Sequence, residues 1–188
     1  MGSIRDKTHE ARDNDAYMTI DPRSIPALLK IIKLRGKIWE PAAGECHMVR
    51  SLEAAGESVY ATDIKAYTPQ LTHIQDFLTF KKIPHPHIRT IVTNPPNGLN
   101  IQFALHALKL MEPVGGMVAL YQRHEWDTTK RAAPIFDHPA FAMKIIPRFR
   151  PYWIAPKPGE KSASPFHKWS WYVWDWKHRG PPIIRFSP

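Results

Sequence analysis

The run Thr90-Ile91-Val92-Thr93 is cut off by Asn94-Pro95-Pro96-Asn97, and this break constrains the fold more than any other stretch of the chain. A short β-branched run marks a buried strand, and two consecutive prolines can neither continue a ladder nor enter a helix interior. The chain must therefore leave a sheet abruptly, with the Asn94 side chain held at a strand's carboxyl end. In open α/β sheets that end faces the ligand crevice. The Asn94 amide and the adjacent backbone carbonyls offer acceptors suited to an amino group. A proline-rich loop capped by Asn would look the same locally, so the upstream residues decide.

Three upstream segments bear on that choice. Trp39-Glu40-Pro41-Ala42-Ala43-Gly44-Glu45 follows a short apolar run and opens a helix. Small residues there let a ligand approach the backbone, and a helix start supplies free N–H groups. Val59-Tyr60-Ala61-Thr62-Asp63-Ile64 then ends a second strand with an acid, about twenty residues after Glu40, the spacing at which a carboxylate accepts both hydroxyls of a ribose. Ile74-Gln75-Asp76-Phe77-Leu78 sets a third carboxylate beside apolar side chains, suited to the amino group and ring face of an adenine. Each fragment is weak alone; their order and spacing are specific.

The remaining pattern alternates strands and helices. Helices are expected over 24–33 (Ser24 as cap, Pro26 in the first turn), 47–55, 101–111 and 125–136, and strands over 37–40, 58–62, 91–93 and 116–121. Two further strands, 143–149 and 168–176, flank a loop rich in Pro, Lys, Gly and Ser over 150–165. Alternation followed by a terminal hairpin predicts a mostly parallel sheet with an antiparallel end, the Trp-rich run 169–176 forming its edge strand. A single domain over 15–188 is expected, after a flexible arm over 1–14.

Charge indicates the partner. The chain has 26 Lys and Arg against 17 Asp and Glu, a net charge of +9, which favours a polyanion because basic side chains displace phosphate counterions. Arg148, Arg150, Lys157, Lys161, Lys168 and Arg179 crowd the last forty residues among aromatics, a pattern suited to phosphates and stacked bases. One Cys excludes an internal disulfide, no apolar run could span a membrane, and Met1–Asp6 resembles neither a signal peptide nor a myristoylation site, so a soluble cytoplasmic protein is expected. His85-Pro86-His87 lacks a nearby Cys or carboxylate to complete a ligand set, so no metal is expected.

From about residue 15 to 125, the chain resembles the amino-methylating family of S-adenosylmethionine-dependent methyltransferases, especially small phage-type DNA adenine-N6 methyltransferases. The resemblance implies a Rossmann-like methyltransferase fold, α/β, with a mostly parallel seven-stranded sheet and an antiparallel C-terminal hairpin. It implies S-adenosylmethionine as cofactor and nucleic acid, DNA before RNA, as partner. Asp15-Ala16-Tyr17-Met18-Thr19 is similar to the segment that closes over the methionine end, with Tyr17 and Thr19 as contacts. Glu40, Pro41, Ala42 and Gly44 match the cofactor loop, Asp63 with Ile64 the ribose site, and Asp76-Phe77 the adenine pair. Asn94, Pro95, Pro96 and Asn97 occupy the catalytic signature, with Asn94 also beside the cofactor.

By that resemblance the Asn94 side chain and the Pro95 carbonyl would accept both N–H bonds of an exocyclic amine, raising the nucleophilicity of its nitrogen. A duplex substrate would have to flip its base. Two residues depart from the pattern. Asn97 stands where the family carries an aromatic, a role that Tyr121, Trp126 or Trp153 would then assume, and Cys46 stands where the cofactor loop often has a second Gly. The 150–165 loop, in place of a separate recognition domain, implies relaxed or short sequence specificity. Methylation of RNA or of a protein glutamine amide, and a basic binding protein with a degenerate cofactor site, remain as alternatives.

Overall fold

The computed structural model describes residues 19–152 and 167–188. Tyr17, Trp153, Lys157, Lys161, the 1–14 arm and all but the first three residues of the 150–165 loop lie outside the described residues.

Eight strands form one sheet: β1 (Lys37–Glu40), β2 (Val59–Asp63), β3 (His73–Ile74), β4 (Ile88–Thr93), β5 (Met117–Arg123), β6 (Phe141–Pro147), β7 (Trp169–Asp175) and β8 (Ile183–Ser187). Their order is β3-β2-β1-β4-β5-β7-β6-β8. Only β7 runs against its neighbours, β5 and β6; every other pairing is parallel. The mostly parallel sheet and the antiparallel β6–β7 pair match the expectation, but the strand count does not. β8, a short Ile-Ile-Arg-Phe run just after two prolines, adds a strand outside β6.

Four α-helices lie among the described residues: α1 (Ser24–Leu29), α2 (His47–Ala54), α3 (Asn100–Met111) and α4 (Ala133–Phe136). They cover both faces of the sheet because successive strand residues point to opposite sides. Ile38, Val92, Met117, Ala119, Trp171 and Val173 pack with α1 and α2 on one face. Trp39, Ile91, Val118, Leu120, Tyr172 and Trp174 pack with α3 and α4 on the other. The indole N–H groups fasten both layers: Trp171 Nε1 donates to the Ser24 carbonyl at 2.9 Å, and Trp174 Nε1 to the Ile135 carbonyl at 2.7 Å.

Three local expectations are corrected. The Trp-rich strand is internal, between β5 and β6, and Trp169, Trp171 and Trp174 are core side chains. An internal strand covered on both faces reads as continuous bulk. The 125–136 stretch is not one helix; two 3-10 turns, Trp126–Thr128 and Lys130–Ala132, precede α4. The Thr128 and Thr129 hydroxyls donate to the Glu125 and Trp126 carbonyls, and Thr129 itself is extended, so side-chain bonding interrupts the helix. Ser24 lies inside α1; the Asp21 carboxylate instead takes the Arg23 N–H at 3.0 Å.

The strand order reverses between β1 and β4, which connect outward in opposite directions. A crevice opens at such a reversal beyond the carboxyl ends of the strands. β5, β6 and β8 run parallel to β4 or to each other's direction across β7, so their carboxyl ends share that edge of the sheet. The opposite edge is closed by Arg35, whose guanidinium pairs with Asp175 at 2.7 Å and donates to the Gly116 carbonyl at 2.9 Å.

Candidate active site

Glu40 ends β1 and is almost fully buried, as are Pro41 and Ala43 behind it. Its Oε1 accepts the Ala42 N–H at 3.0 Å, so the carboxylate folds back on its own loop. The loop then turns through Gly44 (φ 53°) and Cys46 (φ 62°) before α2 begins. Both lie in the left-handed region that glycine tolerates best. Cys46 is accommodated because its side chain is fully buried in a small cluster with Ala43, Val49 and Ala61, where it adds packing. The thiol therefore fits at the position expected to hold a second Gly.

Asp63 closes the other wall from the end of β2. Its Oδ2 accepts the Gly44 N–H at 2.8 Å and its Oδ1 the Lys65 N–H at 3.2 Å. Each oxygen takes one backbone donor, and a carboxylate oxygen has a second lone pair with which it can accept another. Ile64, the next residue, is 59% exposed, an apolar side chain set beside a polar one at the mouth of the crevice.

Burial pushes the Glu40 carboxyl up from an ordinary value near 4.5 to about 8, the nearby Asp63 charge adding to the effect. The Ala42 N–H opposes it, and so does the Thr93 hydroxyl, which faces Glu40 without well-formed hydrogen-bond geometry. The native state thus holds a proton that the unfolded chain releases near 4.5. Its stabilising effect is full below that value and lost as pH rises toward 8. Glu40→Gln should therefore be more stable than the parent at pH 8, on the order of 3 kcal/mol, with a flatter pH profile between 5 and 8. Thermal melts across that range check this; a difference independent of pH would contradict it.

Asn94 extends β4 into the crevice, and its Nδ2 donates to Thr19 Oγ1 at 3.0 Å. The two are far apart in sequence, so this bond ties the chain ahead of α1 to the proline turn. That segment is itself held. Asp21, buried, receives Arg23 Nε at 2.9 Å, Arg23 Nη2 at 2.6 Å and the Tyr152 N–H at 3.2 Å. The Arg23 guanidinium lies 4.4 Å from the centre of the Phe149 ring. Pro95 is buried, Pro96 half-buried and Asn97 exposed at the turn, before Gly98 at φ 83°.

Sequence reasoning missed two residues here. β5 outlasts β4 because β7 pairs with it as far as Arg123, whereas Pro95 and Pro96 end β4. Gln122 therefore projects past the end of β4, buried beside the proline turn. It accepts from Asn100 Nδ2 at 3.2 Å and its Nε2 reaches the Pro95 carbonyl at 3.5 Å. A polar residue at the end of a buried apolar strand was the only signal available.

The other expected residues divide. Asp76 caps a short turn, its Oδ1 accepting the Leu78 N–H at 2.9 Å. Phe77 is 2% exposed and packs on Trp39, Phe103 and His106, so it has no face for a ligand; half-buried Leu78 is the accessible apolar neighbour. Tyr121 and Trp126 are buried, which removes both as replacements for an aromatic at Asn97. Arg148, Arg150 and Lys168 flank the ends of β6 and β7 at the crevice edge, and Arg148 lies over Phe186, an exposed ring, at 5.4 Å. Arg179 follows β7 at the opposite edge and donates to the Trp176 and His178 carbonyls, away from Asn94. Among the described residues no cluster of His, Cys, Asp or Glu could hold a metal, and no helix is long and apolar enough to cross a membrane.

The sequence matches no protein-family model and no curated protein. The architecture matches solved structures. A candidate class I S-adenosylmethionine-dependent methyltransferase from Listeria monocytogenes superposes over 95% of this chain and 68% of that one, with TM-score 0.57 at 16% identity. A candidate RNA methyltransferase from Pyrococcus horikoshii superposes over 80% of both chains, with TM-score 0.53 at 11% identity. The chain has the Rossmann-like methyltransferase fold.

Proposed function

We propose that the chain is an S-adenosylmethionine-dependent methyltransferase that acts on the exocyclic N6 of adenine in DNA, with relaxed or short sequence specificity. The observation that carries this reading is the meeting of two devices at adjacent strand ends: Asn94-Pro95-Pro96 after β4, and the Glu40–Gly44 loop with Asp63 beside it. Asp63 would take the ribose hydroxyls of the cofactor, Ile64 and Leu78 its adenine faces, Asp76 its amino group, and Thr19 with Tyr17 its methionine end. Bound S-adenosylmethionine supplies an electrophilic methyl group on a sulfonium.

The residues of the chain would do the rest by orientation and electrostatics. An exocyclic amine is a weak nucleophile because its lone pair is delocalised into the ring. The Asn94 side chain and the Pro95 carbonyl would accept its two N–H bonds and draw the nitrogen toward a tetrahedral form. Thr19 Oγ1 accepts from Asn94 Nδ2, and with that pairing the amide oxygen is the end that would accept from the amine. Transfer would leave S-adenosylhomocysteine as the thioether product, and the methylated nitrogen would release one proton to solvent through the crevice.

Arg148, Arg150 and Lys168 would meet the phosphates, since they share the crevice edge with Asn94. Replacing all three by Ala should weaken DNA binding and reduce the salt slope of log K by about two to three. Arg179→Ala should leave both unchanged, because it sits at the far edge. Fluorescence anisotropy titrations at several salt concentrations test this, and an equal effect of Arg179→Ala would contradict the placement of the interface.

One observation favours a second reading. With Asn97 exposed and Tyr121 and Trp126 buried, none of these three supplies, among the described residues, the ring expected to stack on a flipped base. A protein glutamine amide, which presents an NH2 group with no ring, would fit the same acceptors. Mass spectrometry of nucleosides and peptides, after incubation with labelled cofactor and unmethylated DNA, RNA or protein extract, separates them. N6-methyldeoxyadenosine is expected; methylated glutamine or RNA adenine would reassign the substrate, and no product would overturn the reading.

A further inference from the structure

We propose that Gln122 is a positioning residue that sets the direction of the Pro95 carbonyl, and that Asn100 holds Gln122 in the orientation this needs. The proposal rests on the amine-methylating reading above.

Hydrogen-bond polarity sets the orientation of these side chains. An amide side chain can be turned over at little cost unless its partners forbid it. Here both ends of a short chain of bonds belong to the backbone. The Ile101 N–H can only donate, and it gives to Asn100 Oδ1 at 2.9 Å. Asn100 must then present Nδ2 to Gln122, whose Oε1 accepts at 3.2 Å. Gln122 is left with Nε2 toward the Pro95 carbonyl, which can only accept, at 3.5 Å. The first turn of α3 therefore dictates the orientation of every group up to the proline turn, and reversing either amide would set like groups against each other.

Proline makes this support necessary. Neither Pro95 nor Pro96 has an N–H with which to tie its peptide to the sheet. The described β4–β5 pairing ends at Thr93 and Leu120, so the Pro95 carbonyl is held by a side chain of the neighbouring strand. Gln122 is 3% exposed and lies where β5 runs past the end of β4, so it is the side chain available for this. A carbonyl oxygen has two lone pairs; with one directed at Gln122, the other keeps a constant direction into the crevice, where the substrate amine would donate. The bond to Gln122 is long and should shorten when the crevice is filled.

Gln122→Met keeps the length and bulk of the side chain and removes both polar atoms. Backbone NMR of the full chain should show the Pro95 carbonyl carbon shifted upfield as its donor is lost. With labelled S-adenosylmethionine and unmethylated DNA, kcat should fall by about 10- to 100-fold, as expected for a reacting group misplaced by a fraction of an ångström. Cofactor Kd and KM should stay within about twofold, because Asp63 and the Gly44 loop are untouched. Asn100→Asp, which accepts the Ile101 N–H but cannot donate to Gln122, provides a second test should the first variant fold poorly; its kcat should fall by a smaller factor in the same direction. An unchanged carbonyl shift, a kcat within twofold of the parent in the folded variant, or an equal loss of cofactor binding would each overturn the assignment. A parent chain that binds the cofactor but methylates nothing would overturn the underlying reading, a result recognisable before any variant is made.

Discussion

Asn94→Ala should reduce methyl transfer by about 10²- to 10³-fold while leaving the affinity for S-adenosylmethionine within a few-fold of the parent. Loss of a single preorganised hydrogen-bonding group at a reacting centre costs about 10²- to 10³-fold in other acyl- and group-transfer sites. Here the substitution removes an acceptor for the amine and, with it, the partner of Thr19 Oγ1. Asn94→Asp should be milder, because a carboxylate still accepts from the amine although it cannot donate to Thr19. Single-turnover transfer of a labelled methyl group, read beside calorimetric affinity, separates the chemical loss from a binding loss. A rate for Asn94→Ala within tenfold of the parent would remove Asn94 from the chemistry.

Asp63→Ala should act on the other half of the site. Hydrogen bonds to a charged acceptor contribute about 1.5–3 kcal/mol each, so loss of two ribose contacts should weaken cofactor binding by about two to four orders of magnitude. The variant also removes the acceptor of the Gly44 N–H, and with it a tie of the turn that leads into α2. The melting temperature should therefore fall by a few degrees even without ligand. Asp63→Asn retains one acceptor oxygen and should lose about a tenth as much affinity. Calorimetry and thermal melts read both effects, and a cofactor affinity for Asp63→Ala equal to the parent's would show that the ribose lies elsewhere.

The places of these two residues at strand ends were legible in the sequence because each is a polar side chain closing a short apolar run; for Asn94 the two prolines that follow also forbid extension of the strand. The proline break at Asn94 fixed a strand end, and the strand end fixed an edge of the sheet. What the sequence did not reveal depends on packing between distant segments. Phe77 follows Asp76 as a ligand-facing ring would, and only the arrival of Trp39 and Phe103 makes it core. The Trp-rich strand alternates as an edge strand does, and its internal position depends on β6 and β8 adding outside it.

Basic residues close in sequence were separated by the same geometry. Arg150 and Arg179 bracket β7, and β7 crosses the sheet from the crevice edge to the far one. Composition could count these charges but not assign them to a side. Gln122 was hidden for a related reason: its role comes from β5 outlasting β4, a difference in strand ends that neither run shows by itself.

In the proposed site the Gly44 turn and Asp63 hold S-adenosylmethionine so that its methyl group faces Asn94. Isothermal titration of the full chain with S-adenosylmethionine tests this most directly. It should show one binding event per chain with micromolar affinity, weakened by Asp63→Ala and nearly unaffected by Asn94→Ala. Absence of binding by the folded parent chain, or weakening by Asn94→Ala alone, would contradict it.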